Sequence, residues 1–515
     1  MSMYDSSIVA SGHLHVSEAA ATMLEAGGNA FDAVVAAGFA ATVAEPALTS
    51  LGGGGFMLAH CADSGEDIFF DFFVDTPGRG LVEQPVHPDF FGVTVNFSGS
   101  AQQFMIGLGS VAVPGTLKGL LHIHKRLGRM PLTDVLFPAK KIALGHIVNE
   151  QQAHFLDLLR PIMTLTERGR RIYKPEDTYV NQNDTLVNFE TAAFLDQLCL
   201  EGDDSFYKGE IARLVHREMH DGQGLLTATD LARYTVKERK PLSVSYRKHT
   251  FLTAPEPSMG GTLIALSLAL AEKKMESGYK WGSAEHLLAL TGLMKEVERL
   301  RSLGITSPSA LKRFLDDDLV VTESCNQMRL FSRGTTHISV ADNRGNCASM
   351  TCSNGEGAGY FAPGTGVMLN NMMGEDDLHP GGFHSSPPGQ RVFSMMSPSL
   401  LLKDRRVQLV IGSGGSKRIR TAVTQVVSQV VDCNIPLQQA VDGPRLYLDE
   451  GRLQVEPGFS SYAVDELRKS FFVNLWNCKD VYFGGVHAVI PGVEGAGDPR
   501  RGGNVAVVFS NVRNM

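Results

Sequence analysis

The sequence has no CxxC pair and no histidine spaced from a cysteine as a zinc ligand would be. Its seven cysteines, Cys61, Cys199, Cys325, Cys347, Cys352, Cys433 and Cys478, are odd in number and widely scattered, so a reduced protein without metal or cofactor is the expectation. It also has no long run of one charge sign: 47 basic and 55 acidic residues give a net charge of −8, which argues against nucleic acid or a membrane surface as partner and leaves a small-molecule substrate. Repeats and low-complexity tracts are absent. The opening MSMYDSSIVASGHLHVS does not have the basic segment followed by an apolar stretch that export requires, so a cytoplasmic location is expected. The most apolar early stretch, Ala30 to Ala44, contains Asp32 and is too short to span a bilayer; it reads as a buried helix.

What is present is a chain of 515 residues with 43% hydrophobic content, enough for one large α/β unit or two domains. The N-terminal third alternates Ala-rich helical segments (Glu18 to Glu25, Ala33 to Glu45) with short apolar strands (Gly55 to Ala59, Asp67 to Phe73). From about 115 to 300 the pattern is mostly helical, with helices expected over Thr116 to Arg126, Leu132 to Ala143, Thr229 to Tyr234 and Gly261 to Ala271. Between 302 and 334 the sequence is polar and irregular and reads as a mobile connection. Strand patterning returns at 336 to 341, 347 to 353, 399 to 403, 407 to 411 and 504 to 509, which makes the neighbourhood of 334 the main internal boundary.

Just after that boundary, two alternating runs are joined by Asn343-Arg344-Gly345, a three-residue loop whose glycine suits the bulged hairpin turn. The turn pairs Asp342 with Asn346, and counting outward pairs Ser339 with Ser349, His337 with Thr351 and Thr335 with Ser353 on one face. Ile338, Val340, Ala348, Met350 and Cys352 fall on the other. Directly opposed residues have Cβ atoms roughly 4.5 to 5.5 Å apart, within reach of a hydroxyl–hydroxyl hydrogen bond. Taken alone, these are ordinary strand residues on a half-solvated face.

The wider set of motifs changes that reading. VASGHLHVSEAAATMLEAGGNAFDAVVA, EPALTSLGGGGFMLA, GSVAVPGTLKGL, LTATDLARYTVKERKPLSVSYR and PEPSMGGTL are followed by GTTHISVADNRGN, MLNNMM, SMMSPSL, GSGGSKRI and GAGDPRRGG. In this order, over nearly the whole chain, they resemble the γ-glutamyltranspeptidase family. The resemblance implies an N-terminal nucleophile hydrolase with a four-layer αββα sandwich, of mixed α/β class and with a mostly helical large-subunit portion. The precursor cuts itself between Gly334 and Thr335, giving a large-subunit portion (1–334) and a small-subunit portion (335–515) that together form one intertwined unit. Thr335 becomes the nucleophile. A threonine hydroxyl is weak at its ordinary pKa, and a freed α-amine of pKa about 7.7 to 8.0 is a suitable base. The family's second hydroxyl falls on Ser353, which the hairpin register reaches independently. The oxyanion amides fall on Gly415 and Ser416, or on Gly414 and Gly415 if the alignment shifts by one.

Gly52 to Gly55 lack the Lys-Ser or Lys-Thr of a phosphate loop and read as close backbone packing. His337 reads as an orienting or structural residue, and His379 and His384 as loop residues.

The sequence departs from the family on the acyl side. The arginine that holds the glutamyl α-carboxylate aligns with Phe73, the paired serines with Ser394 and Met395, an expected asparagine with Gly355, and the Gln or Glu at the α-amine with Met372; the family's acidic residue is retained as Glu375. Arg79 stands near Phe73 in sequence and is a candidate replacement cation. A carboxylate buried against phenylalanine and methionine costs several kcal/mol. The segment from Asp377 to Arg391 leaves little for a lid, and an open site favours hydrolysis over transfer. The expected function is therefore a self-processing amidase acting on a small-molecule amide through an acyl-enzyme, with an acyl group that differs from γ-glutamyl. A conventional γ-glutamyltransferase or glutathione hydrolase is the first alternative, and an unprocessed, inactive binding protein the second. A homo-oligomer of the fragment pair stays open.

Overall fold

The computed structural model describes residues 3–83, 85, 87–97, 100–275, 278–317, 334–379 and 381–510. Two antiparallel sheets form its centre. The first has seven strands in the spatial order Asn504–Phe509, Ser6–Ser11, Thr336–Ala341, Cys347–Ser353, Gly54–Cys61, Glu66–Phe72 and Lys237–Arg239. The second has six, in the order Glu494–Ala496, Gly485–Ile490, Arg406–Gly414, Ser399–Lys403, His249–Thr253 and Leu242–Tyr246. Segments before and after residue 334 contribute strands to both sheets.

Helices cover the outer faces. Ala30–Ala44 lies against Thr336–Ala341 and Cys347–Ser353, with Leu14–Glu25 and Thr116–Leu127 beside it, while Met259–Lys274 and Arg418–Cys433 cover the second sheet. The result is the αββα sandwich that the motifs imply. Asp32, the one charge in the early apolar helix, is used as a connector. It closes a capping box with Asn29 and accepts from the backbone N–H of Arg129 and Met130 at 2.8 and 3.0 Å, so the buried carboxylate is satisfied by three backbone N–H groups, that of Asn29 included.

The hairpin has the expected register: Ser339 opposes Ser349, His337 opposes Thr351 and Thr336 opposes Cys352. Its hydroxyl face differs from the half-solvated surface expected. All of it is buried, because it packs on the second sheet: Ser339 donates to the His487 carbonyl at 3.0 Å and Ser349 to that of Ile411 at 2.9 Å. The opposite face, from Ile338 to Cys352, packs beneath the helices. The space between the sheets is thus lined with hydroxyls that spend their hydrogen bonds on the facing backbone.

The 302 to 334 connection also departs from expectation, since Pro308–Asp317 is a helix with Leu311 buried and Phe314 and Leu315 packed on the core. Composition hid a helix whose apolar residues are few but fall on one side. The remainder of that call, 318 to 333, lies outside the described residues, as does Cys325. Cys61, Cys199, Cys347, Cys352, Cys433 and Cys478 are free thiols. Among the described residues no helix is long and apolar enough to cross a membrane.

Candidate active site

Thr335 sits immediately before the strand Thr336–Ala341, and Ser353 ends its neighbour. Both are about 5% exposed or less. Thr335 Oγ1 donates to Ser353 Oγ at 3.4 Å, and Ser353 Oγ donates in turn to the carbonyl oxygen of Gly334. The Gly355 N–H donates to Ser353 Oγ at 3.1 Å and fixes that hydroxyl. One serine therefore bridges a threonine hydroxyl and the carbonyl directly before it. The backbone approach is close on the other side as well: a Cβ on Gly53 would stand 2.3 Å from the Ser353 carbonyl oxygen. This is the close packing read from the Gly52 to Gly55 run.

The backbone of Thr335 is held from the C-terminal end of the chain. Arg501 Nη1 donates to the Thr335 carbonyl at 2.9 Å, and Gly414 lies against the same oxygen, where a Cβ would come within 2.4 Å. Gly415 and Ser416 follow, both at positive φ (120° and 52°), and turn the strand Arg406–Gly414 into the helix Arg418–Cys433. The next residue, Thr336, donates from Oγ1 to Glu45 Oε2 at 2.9 Å. Burial pushes the Glu45 carboxyl up to about 7, against the opposing pull of Thr336 and Arg501. Burial, aided by the Arg418 charge, brings Arg501 down to about 10.

His337 lies between Thr351 Oγ1 at 2.8 Å and Ser339 Oγ at 3.0 Å. Burial, with His487 nearby, holds its pKa well below the usual imidazole value, so it is a neutral spacer inside the sandwich. His379 and His384 bond the carbonyls of Met372 and Gly109 at 2.8 and 2.9 Å. With the ring of Phe90 at 4.8 Å, His384 pins the short segment after Asp377.

The acyl-side candidates divide. Glu375 is buried close to Gly355, where a Cβ would come within 2.1 Å of both its Oε1 and Asn371 Oδ1. Ser394 accepts from the Met396 N–H at 3.1 Å and Met395 is buried beside it. Phe73 is in the core, its ring 5.4 Å from that of Phe56 and against Gly54, the residue opposite Ser353. Arg79 is exposed and donates to the Gly389 carbonyl at 3.1 Å.

A second arginine, Arg391, is buried next to Phe73. Its guanidinium donates to the Phe73 carbonyl, to Tyr234 Oη at 2.9 Å and to the Thr235 carbonyl at 2.9 Å, and it pairs with Asp71 and Asp75, each at 3.2 Å. Sequence reasoning missed Arg391, Glu45 and Arg501. The last two lie within EPALTS and GAGDPRRGG, motifs already singled out, but nothing local to either marks a partner hundreds of residues away.

The family described as Gamma-glutamyltranspeptidase matches residues 16–508. Over 469 residues the chain is 32% identical to the Acylase ACY 1 proenzyme of a Pseudomonas species, covering 87% of this chain and 84% of that one. It is 31% identical over 493 residues to the Glutathione hydrolase proenzyme of Escherichia coli, covering 88% and 83%. Among solved structures, the cephalosporin acylase from Bacillus halodurans superposes with a TM-score of 0.80 at 22% identity, over 98% of this chain and 96% of that one. The γ-glutamyltranspeptidase of Helicobacter pylori gives 0.51 at 28% identity, over 61% and 91%.

Proposed function

Since the chain belongs to the γ-glutamyltranspeptidase family, and is an amide hydrolase of its N-terminal nucleophile type, we propose that it matures by cutting its own Gly334–Thr335 bond and that Thr335 then serves as the nucleophile. The observation that carries this reading is Ser353 bridging Thr335 Oγ1 and the Gly334 carbonyl. Attack by Thr335 Oγ1 on the Gly334 carbonyl carbon puts negative charge on the oxygen to which Ser353 already donates. Collapse breaks the C–N bond as the Oγ1 proton passes to the nitrogen, which frees the α-amine and leaves residues 1–334 as an ester on Thr335 Oγ1; water then hydrolyses the ester, giving the Gly334 carboxylate and restoring the Thr335 hydroxyl.

In the mature enzyme the amine takes the Oγ1 proton as Oγ1 adds to the substrate carbonyl, and returns it to the leaving amine. The backbone N–H groups of Gly415 and Ser416, or of Gly414 and Gly415, stabilise the oxyanion; the packing of Gly414 on Thr335 supports this loop in that role. Water finishes the cycle by hydrolysing the acyl ester.

For the acyl group we propose a departure from γ-glutamyl. Phe73, Met372 and Met395 offer no charge, Arg391 is consumed by two aspartates and the backbone, and Arg79 is engaged at the surface. Glu375 and Ser394 remain as the polar groups of that side. Relatives include both an acylase proenzyme and glutathione hydrolase proenzymes, so both acyl classes occur among proteins of this similarity. Two measurements test the proposal. The intact mass of denatured protein should give fragments of 334 and 181 residues; a whole chain refutes the nucleophile assignment. A γ-glutamyl anilide should be hydrolysed no faster than its decarboxylated analogue or a short-chain acyl anilide. A strong preference for the glutamyl compound, lost in Arg79→Ala as a raised KM, refutes the altered specificity.

A further inference from the structure

The C-terminal end of the chain holds a buried ionic framework: Asp498 pairs with Arg445 at 2.6 Å and with Arg500 at 3.1 Å, and Arg500 also pairs with Glu456, all without exposed side-chain area. Arg501 follows directly, but its guanidinium turns to the Thr335 carbonyl. Its stem passes so close to Gly485 that a Cβ there would lie 2.2 Å from Arg501 Cδ, a route that only glycine leaves open. From the opposite side Glu45, which ends the helix Ala30–Ala44, takes the Thr336 hydroxyl.

We propose that Arg501 and Glu45 are a pair of positioning residues of opposite charge that hold residues 335 and 336 in place after cleavage and set the basicity of the Thr335 α-amine from opposite directions. The proposal rests on the reading of Thr335 as the nucleophile. A cation bound to the carbonyl of the residue that carries the amine disfavours the ammonium form, and a nearby carboxylate favours it. The other groups facing this point are Glu356, whose Oε1 accepts from the Gly334 N–H at 3.4 Å, Glu375 beside Gly355, Arg418, Asp498 and Asp480, whose charges act on Arg501, and the neutral histidines His337 and His487. Arg501 and Glu45 bond residues 335 and 336 directly through charged side chains.

The test compares wild type with Arg501→Lys, Arg501→Met and Glu45→Gln. Intact mass reads cleavage, and kcat and KM for whichever anilide the wild type hydrolyses are followed against pH. In Arg501→Met the midpoint of the acid limb of kcat/KM should rise by about one pH unit, with kcat about tenfold lower and KM little changed. In Glu45→Gln the midpoint should fall, and Arg501→Lys should stay near wild type. Midpoints that do not move, or that move in the same direction, overturn the pair while leaving the nucleophile in place. If Arg501→Met stays uncleaved, Glu45→Gln decides alone by the sign of its shift; its own failure to mature also overturns the proposal, since the amide oxygen still accepts the Thr336 hydrogen bond. A wild-type chain left whole instead refutes the nucleophile reading, and the pair with it.

Discussion

Two regions meet at the end of the first sheet, and they solve the problem of buried polarity in opposite ways. Around Thr335 the interior is polar, and three side chains converge on residues 334 to 336: Ser353 at the Gly334 carbonyl, Arg501 at the Thr335 carbonyl, Glu45 at Thr336. Around Phe73 the packed rings are apolar, and the buried cation beside them, Arg391, is tied into a structural knot with Asp71, Asp75, Tyr234 and the Phe73 carbonyl. Charge in the first region is available for chemistry, and in the second it is spent on the fold. On the proposed assignment the family scaffold separates bond-breaking from acyl recognition, so one can change while the other is kept.

The sharpest test of the first region is Thr335→Ala. It removes the proposed attacking hydroxyl, so the chain should remain whole on denaturing electrophoresis and amide hydrolysis should fall at least about a thousandfold. Hydrolysis that persists at the wild-type rate would move the chemistry elsewhere and dissolve the contrast between the regions.

Arg391→Met tests the second region. If the guanidinium is structural, its loss leaves Asp75 short of a counter-charge in a buried setting, with Asp71 held by Arg239 alone at 2.8 Å. The stability read by denaturant unfolding should drop by about 3 to 5 kcal/mol. Relative rates on glutamyl and simple acyl anilides should not change in whatever folded protein survives. A stable variant with a selectively raised KM for the glutamyl compound would instead make Arg391 an acyl-binding residue.

Ser353→Ala asks how much the bridging hydroxyl contributes. Loss of one transition-state hydrogen bond worth about 1.4 kcal/mol slows turnover about tenfold. Cleavage at Gly334–Thr335 should slow as well, since the same hydroxyl touches the carbonyl under attack. Expression and melting temperature should barely move. Unchanged rates for both reactions would leave Ser353 as packing only.

How much of this was legible beforehand follows from the range of the interactions. The hairpin register could be counted from Asn343-Arg344-Gly345 because strand period and turn length are local, and the helix Leu132–Ala143 matches its expected limits because Pro131 marks its start. The burial of the hydroxyl face was not legible, because it depends on a second sheet whose strands come from residues 242 to 253 and 399 to 496. Glu45 and Arg501 were missed for the same reason: they reach the nucleophile strand across 291 and 166 residues. Phe73 is visibly uncharged in the sequence, but only the packing of its ring on Phe56 shows that a charged side chain there would also disturb the core.

The smallest expected effect concerns the polar interior as a whole. Burial brings His487 down to about 4, with the Arg501 and Arg445 charges adding to the shift and Asp498 opposing it. Its folded pKa therefore lies below the unfolded value of about 6.5. Between these two values the unfolded chain binds a proton that the folded chain refuses, so stability falls as pH drops from about 6.5 toward 4, by about 1.4 kcal/mol per pH unit from this residue; above pH 7 the contribution is flat. His337, also held well below the usual imidazole value by burial, adds a second loss of the same sign. The measurement is urea unfolding at pH 7, 6 and 5.5 in wild type and His487→Asn, whose side-chain oxygen can take the Asp498 N–H that His487 Nδ1 accepts at 3.3 Å. The variant should be less stable at pH 7 for lost packing, but its slope against pH should be shallower by one proton. An identical slope would mean that His487 is already protonated in the fold, which would place a positive charge beside Arg501 and remove the distinction between a polar interior kept neutral and a reaction point kept charged.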